Sequence, residues 1–433
     1  MLQRIYGTAF ATKKELEAHL EALEEARRRD HRRLGTELEL FSVDPLSPGS
    51  PFYLPKGMVL YNGLIDFMRD LYPKYGFQEV MTPQIFRTEL FKTSGHYDLF
   101  HDDMFLMQGD EGEELGVKPM NCPGHCILFG SKKRSYRELP LRFAEFSRLH
   151  RNERSGTLTG LSRVRSMAQD DAHIYCEPEQ VEDELARFFV MTEEVYTALG
   201  LTGVDVGVST RPEGEAFIGE RADWDVAEQR LIAAVERAGY DCRVKPGDAA
   251  FYGPKVECDF RDVLGRPWTL STLQIDVSMP TRFGLEYVGR DGEMHRPAML
   301  HRAILGSLER FIALYTEMTA GDFPFWLAPV QVVVLPIAER HEAYAREVGA
   351  KLSAAGIRTE VDARNEKLGF KIREAEVQKV PVMLVAGDKE QEHGTVTPRW
   401  RLATGMSDEA AEVGTLVAKL AEHNHNRRAN RAS

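Results

Sequence analysis

The alternation of hydrophobic and polar positions changes rhythm several times along the chain, and each change predicts a different element. Thr12 is followed three residues later by Glu15, a capping-box pair, and Leu16, Leu20 and Leu23 then recur at helical spacing, so an amphipathic helix is expected over about Lys13–Arg29. It runs into Arg27, Arg28, Arg29, Arg32 and Arg33, a basic cluster read as a solvated helix end that complements the dipole. Between Leu38 and Phe52 the pattern offers a short strand, ELELFSV, and a loop, DPLSPGSP. A second helix, roughly Met58–Tyr75, places Leu60, Leu64, Phe67, Met68 and Leu71 on one stripe and stops at Gly76. Short apolar strands follow, with a helix over about Glu179–Leu199 between Pro178 and Gly200, an α+β texture.

Near Leu327 the texture shifts. QVVVLPI, GIRTEV and VPVMLVAG read as buried strands separated by helical patterns at about 340–355 and 366–379, which implies a separate, partly parallel α/β domain. A last helix, about 407–422, precedes the polar basic stretch HNHNRRANRAS, expected to be disordered. The predicted divisions are 1–35, 36–327, 328–422 and a tail, 423–433, with no internal repeat.

At 433 residues the chain has room for two or three domains, and 43% hydrophobic with 28% charged residues excludes collagen-like, low-complexity and wholly disordered readings. No apolar run reaches membrane-spanning length, and MLQRIYGTAFATKKELEAHL is too polar for a signal peptide, so a cytoplasmic protein without membrane association is expected. Five scattered cysteines argue against a disulfide framework and leave thiolate or metal chemistry open. With 67 acidic against 55 basic side chains, the net charge of −12 opposes non-specific coating of nucleic acid but not local basic patches.

Two segments carry candidate chemistry. LRFAEFSRLHRNERSGTLTGLSRVRSMAQDDAHIYC reads as two strands joined by a Gly/Ser/Thr loop and projects Arg151, Glu153, Arg163 and Arg165. A guanidinium fork suits phosphate, and a carboxylate beside it can accept from the exocyclic amine of adenine; by spacing alone, a surface hairpin laced with ion pairs reads the same way. In LHRAILGSLERFIALYTE, Gly306 permits close backbone approach and Arg310 follows at i+4, read here as the same helix face, directed at a polyphosphate over a sheet.

Together these segments resemble the class II aminoacyl-tRNA synthetases. Motif 2 is matched by Arg151-Asn152-Glu153, motif 3 by Gly306 to Arg310, and motif 1 by Gly57 to Pro83. GVKPMNCPGHC, RVRSMAQDDAHIYC, FYGPKVE and MLHRAILGSLERF narrow the resemblance to the threonyl-tRNA synthetases. The resemblance implies a linker helix over 1–35, an α+β class II catalytic domain with an antiparallel sheet over 36–327, and an α/β anticodon-binding domain over 328–422. It implies threonine–tRNA ligase activity: ATP-dependent activation of threonine and transfer to tRNA(Thr) by a homodimer holding one Zn²⁺ per chain, with Mg²⁺ accompanying ATP. A non-catalytic, tRNA-binding or regulatory synthetase-like protein is the alternative.

Residue by residue, the resemblance assigns zinc to Cys122, His173 and His301. Three N/S ligands from separated segments leave a coordination position open, and valine, lacking a hydroxyl, is then rejected where an apolar pocket could not reject it. Cys122, His125 and Cys126 form a compact local competitor. Arg151 is assigned to the α-phosphate of ATP, Glu153 to the adenine amino group, Arg310 to the γ-phosphate and Arg163 to the phosphate side; Asp171 is assigned to the ammonium or hydroxyl of threonine, and Tyr252, Lys255 and Gln274 to the pocket lining. His96 resembles the family histidine linked to proton movement during transfer, and Asn365, Lys379, Glu390 and Arg399 fall at anticodon-contacting positions. Met167 stands where the family usually stacks phenylalanine on adenine, Thr269 where glutamine is common and Thr159 where histidine is frequent, and Pro398 precedes Arg399. Met167 and Thr269 keep the non-catalytic alternative open; retention of both Arg151 and Arg310 weighs against it. Relatives usually carry an N-terminal ubiquitin-like module and an editing domain; both are expected to be lacking, and no HxxxH pattern occurs.

Overall fold

A computed structural model describes residues 7–211, 214, 217–262, 264–401 and 408–427. The first helix spans Lys13–Arg29, capped by Thr12 and Glu15 in a reciprocal capping box. None of its residues is buried, and Leu16 and Leu20 stay exposed, so its expected apolar stripe faces no core of this chain. The strand expected over ELELFSV is largely absent: Asp30 caps a helix His31–Glu37, and only Phe41–Ser42 pairs, with Phe52–Tyr53. Leu34, Leu38 and Leu40 are buried there, so burial and the cap prevail over strand propensity. The second helix, Pro55–Tyr75, begins three residues before the expected Met58, with proline in its first turn, and ends at Gly76 in the left-handed conformation. A Cβ on Gly57 would collide with the Leu40 carbonyl oxygen, which accounts for a glycine inside this helix.

The central feature is an eight-stranded sheet: β1 Gln78–Glu79, β2 Leu141–Glu145, β3 Asp171–Cys176, β4 Asp205–Ser209, β5 Arg243–Lys245, β6 Lys255–Arg261, β7 Pro267–Asp276 and β8 Ala298–Ala303. Their spatial order is β5-β4-β6-β7-β8-β3-β2-β1. The pairings are antiparallel except at the two edges, where β4/β5 and β1/β2 run parallel. Side chains alternate, as the period of a strand requires. Ala172 and Ile174 of β3 join Val206, Val256, Leu273 and Leu300 in the main core, under the helices Pro55–Tyr75, Val181–Leu199, Arg221–Arg237 and Leu308–Thr319. Asp171 and His173 therefore point to the other face.

The second domain has parallel strands Val332–Pro336, Thr359–Val361 and Val382–Ala386, with antiparallel Thr395–Trp400 and Ala411–Glu412 completing the sheet. Helices Glu342–Ala354 and Val413–His425 pack on one side and Leu368–Val377 on the other. The last helix starts later than the pattern suggested and runs into the segment expected to be a tail; of that segment, 428–433 lie outside the described residues. Arg358 ties the domains together by donating to the carbonyls of Trp326 and Ala328 at 2.8 to 3.0 Å.

Candidate functional site

One face of the sheet carries most of the predicted chemistry in two adjacent rows. Phe143, His173, His301, Gln274, Lys255 and Ser209 are successive cross-strand partners on β2, β3, β8, β7, β6 and β4. Two residues along lie Glu145 opposite Asp171 and Thr272 opposite Glu257. Residues remote in sequence thus become neighbours because antiparallel pairing places them directly across from one another. The floor opens into a cleft of about 410 Å³ that also meets Cys122, Arg151, Glu153, Arg163, Met167, Tyr252 and Arg310. A cavity of about 560 Å³ between the two domains touches none of these residues.

Cys122, at the start of the helix Cys122–Gly130, meets the two histidines so that one ligand atom of each residue lies within 4.8 Å of the others. His301 Nε2 lies 2.9 Å from Asp276 Oδ2, while its Nδ1 lies 2.9 Å from His173 Nε2. A carboxylate acceptor fixes the proton of His301 on Nε2 and turns the Nδ1 lone pair toward His173. The soft sulfur and two imidazole nitrogens fit zinc. Burial pushes the Cys122 thiol well above its usual range and His173 well below, so without a cation both are neutral. The competing local cluster divides: His125 Nδ1 lies 2.8 Å from His173 Nδ1, one step behind the ligands, and Cys126 accepts from the Tyr175 hydroxyl at 3.6 Å and contacts Met299.

Around this group, Asp171 Oδ2 accepts from Asn121 Nδ2 at 2.9 Å, and the Tyr252 ring stacks on His301 while its hydroxyl donates to Gln274 at 2.5 Å. Lys255 pairs with Glu257 at 2.7 Å. His96 is fully buried, with Nε2 3.9 Å from Cys122 Sγ and Nδ1 2.8 Å from Ser94 Oγ; burial and the nearby His301 bring it down to about 3, so it is neutral near pH 7.

Arg151, Glu153 and Arg163 lie in the loop between the paired strands Arg148–His150 and Ser166–Ala168, Met167 in the second of these strands, and Arg310 in the first turn of the helix Leu308–Thr319 after β8. Arg163 Nε donates to Glu153 at 2.9 Å, Arg151 Nε to the Pro119 carbonyl at 3.3 Å, and Arg310 Nε to the Ser162 carbonyl at 3.1 Å. Met167 stands opposite Leu149 and packs with Leu149 and Val164. The Thr269 hydroxyl donates to Asp259 at 2.6 Å. Gly306 corrects the expectation of a shared helix face: it precedes the helix Leu308–Thr319, whose N-cap is Ser307, and has φ +70°, with a Cβ there only 2.7 Å from the Leu270 carbonyl oxygen. Its function is the turn that launches the helix of Arg310.

One buried and one half-buried ion pair hold this turn, and neither is legible in the sequence. Asp170 accepts from the backbone N–H groups of Ile304, Leu305 and Gly306 at 2.7 to 3.0 Å and from Arg302 at 2.9 Å, while the Arg302 guanidinium lies 4.4 Å from the centre of the Phe77 ring. Arg148 donates to Glu309 at 2.6 Å and to the Tyr61 hydroxyl at 3.2 Å, and Glu309 accepts from the Ala168 N–H at 3.0 Å.

Comparison with known proteins agrees with this arrangement. Residues 105–319 match the tRNA synthetase class II core domain (G, H, P, S and T), and residues 331–423 match the anticodon binding domain. A threonine–tRNA ligase of Bdellovibrio bacteriovorus is 50% identical over 92% of this chain and 60% of its own length, and one of Deinococcus radiodurans is 49% identical over 99% and 66%. The crystallised RNA binding domain of threonyl-tRNA synthetase from Cryptosporidium parvum is 42% identical, with a TM-score of 0.86 over 93% of this chain and 99% of that one. The chain belongs to the threonyl-tRNA synthetase family. It spans about 60% to 66% of the length of these curated relatives. Prolyl-tRNA synthetase of Giardia lamblia, at 17% identity and a TM-score of 0.69, shares the fold.

In this member of the threonyl-tRNA synthetase family the anticodon candidates lie in the second domain. Asn365 and Arg399 are exposed, Lys379 follows the helix Leu368–Val377 with φ +59°, and Glu390 accepts from Thr397 Oγ1 at 2.7 Å. Arg399 stands opposite Met383, on the sheet face that packs against that helix. Trp400 is half-buried against the domain core.

Glu145 provides a pH-dependent element beneath the site. Burial raises its carboxyl, but hydrogen bonds from His125 and Lys118 outweigh that and bring it down to about 2. A folded value below the unfolded one means that its contribution is complete above about pH 4.5 and is lost as pH falls toward 2. The stability difference between the wild-type chain and Glu145→Gln should therefore be constant from pH 8 to about 5 and shrink below it, as read by urea unfolding at each pH. A difference that grew on acidification would contradict the assignment.

Proposed function

We propose that the chain catalyses threonine–tRNA ligation, a reading carried by the convergence of Cys122, His173 and His301 with Arg151 and Arg310 on one cleft. ATP lies along the phosphate side, its adenine amino group donating to Glu153 beside Met167, its α-phosphate at Arg151 and its γ-phosphate at Arg310, with Arg163 leaving Glu153 to meet the polyphosphate. Asp171, held by Asn121, accepts a hydrogen bond from the amino or hydroxyl group of threonine, and Gln274, Lys255 and Tyr252 close the pocket. Cys122, His173 and His301 would hold zinc, which would supply a Lewis acid facing the amino and hydroxyl groups of threonine, and Mg²⁺ would accompany ATP. The threonine carboxylate attacks the α-phosphate in line, and the arginines hold the developing charge as pyrophosphate leaves; the 3′-hydroxyl of tRNA(Thr) then attacks the adenylate carbonyl, the ester forms as AMP leaves, and His96 lies near the reaction path. Asn365, Lys379, Glu390 and Arg399 contact anticodon bases. A homodimer forms through the Met58–Pro83 region, where Met81 is 85% exposed. Among the described residues no helix is long and apolar enough to cross a membrane, and we place the protein in the cytoplasm.

Pyrophosphate exchange tests the reading. Threonine should support exchange, valine should not, and a zinc chelator should abolish the threonine signal. Binding of tRNA(Thr) without any threonine-dependent exchange would overturn it in favour of a non-catalytic synthetase-like protein.

A further inference from the structure

Behind the metal-ligand triad, and ending on its member His173, runs a chain of buried polar groups, Lys118, Thr82, Glu145 and His125, that no step above uses. Lys118, His125, His173 and Glu145 are each no more than 1% exposed, and Thr82 is 4% exposed. Lys118 Nζ lies 2.8 Å from Glu145 Oε1 and 2.7 Å from Thr82 Oγ1, and the Thr82 N–H donates to Glu145 at 2.9 Å. Glu145 Oε2 lies 3.0 Å from His125 Nε2, and His125 Nδ1 lies 2.8 Å from His173 Nδ1.

The direction of each hydrogen bond follows from the carboxylate. Paired with Lys118, Glu145 only accepts, so His125 carries its proton on Nε2 and donates it. In a neutral ring Nδ1 of His125 is then an acceptor, and it takes the proton on Nδ1 of His173. That leaves His173 Nε2 as a lone pair directed at His301 Nδ1, itself a lone pair because Nε2 of His301 donates to Asp276. Two lone pairs facing at 2.9 Å repel unless a cation joins them.

We propose that Lys118, Glu145 and His125 are positioning residues that fix the tautomer and ring orientation of His173 and so set the affinity of the zinc site. The inference rests on the zinc reading above. The two ligands are served differently: His301 meets its carboxylate directly, whereas His173 meets Glu145 through a second imidazole. Thr82, next to Pro83, joins the relay to the segment that follows the Pro55–Tyr75 helix.

Zinc affinity of the full chain, measured by competition with a chromophoric chelator, tests this without reference to activity. Glu145→Gln and His125→Leu should each weaken zinc by about 10- to 100-fold, the range for loss of an outer-shell partner. His125→Asn should restore most of the affinity lost in His125→Leu, because its amide oxygen can reach the position of Nδ1 and accept the same proton. Cobalt-loaded samples give a second readout: the ligand-field bands of the Asn variant should match those of the wild type, and those of the Leu variant should shift. Should Glu145→Gln fail to fold, the Asn and Leu pair at His125 decides alone. Equal zinc affinity in wild type and His125→Leu would overturn the relay and leave the triad standing, as would an Asn variant as weak as the Leu variant. A wild-type chain that takes up no zinc would overturn triad and relay together.

Discussion

Arg310→Ala and Arg151→Ala should each lower threonine-dependent pyrophosphate exchange by about 10²- to 10³-fold while leaving the folded state as stable as before, or slightly more so. A preorganised donor aimed at charge that develops in a water-poor cleft contributes about 3–4 kcal/mol to the barrier, and truncation to alanine removes all of it. The unusual half of the expectation concerns stability. Neither guanidinium takes part in an ion pair among the described residues; each makes one modest hydrogen bond, to the carbonyl of Ser162 or of Pro119. Burial lowers the affinity of Arg310 for its proton, and the charges of Arg151 and Arg163 lower it further. Like charges are thus crowded in the ligand-free cleft, and a polyphosphate relieves what the fold alone does not. Exchange assays paired with thermal melts check both halves. Near-normal exchange in either variant, or a melting point several degrees lower, would remove these arginines from the role assigned to them.

Arg302→Met should cost about 3–5 kcal/mol of stability, the loss expected when one partner of a buried ion pair is removed. Methionine can fill the volume beside Phe77, but it leaves Asp170, 0% exposed, as a carboxylate met only by three backbone N–H groups. Adding Asp170→Asn should recover part of the loss, since the two residues act on each other and their effects are not additive. Urea unfolding of the single and double variants measures this. A double variant as destabilised as the sum of the singles would show that the pair does not act as a unit.

The parts of the fold that were legible in the sequence were those with local chemistry. The Lys13–Arg29 helix was bounded by its own capping box, and the helices ending at Gly76 and Gly200 stop at left-handed glycines with φ of 74° and 67°. ELELFSV misled because Leu34, Leu38 and Leu40 answer to a core that is not adjacent in sequence. In the site, motifs gave the residues that face the cleft. Those that support them stayed hidden: Asp170, Asp276, Glu145 and Glu309 are ordinary acidic residues until the fold brings Arg302, His301, His125 and Arg148 against them. His125 belongs to the compact Cys122–Cys126 cluster that the sequence displays, but only the folded chain reveals that it stands behind His173 rather than beside it.

The direct opposition of His173 and His301 has a consequence for assembly of the molecule. Side chains on a strand alternate faces, so sliding β3 past β8 by one residue would turn one imidazole away from the other and into the layer occupied by Ile174 and Leu300. A slip of two residues would keep the faces but separate the rings. Only one alignment of strands more than a hundred positions apart brings the sulfur and both nitrogens together. The presence of the triad therefore reports β-sheet alignment: a chain that has collapsed with its central strands misaligned lacks the cluster, however native its helix content looks.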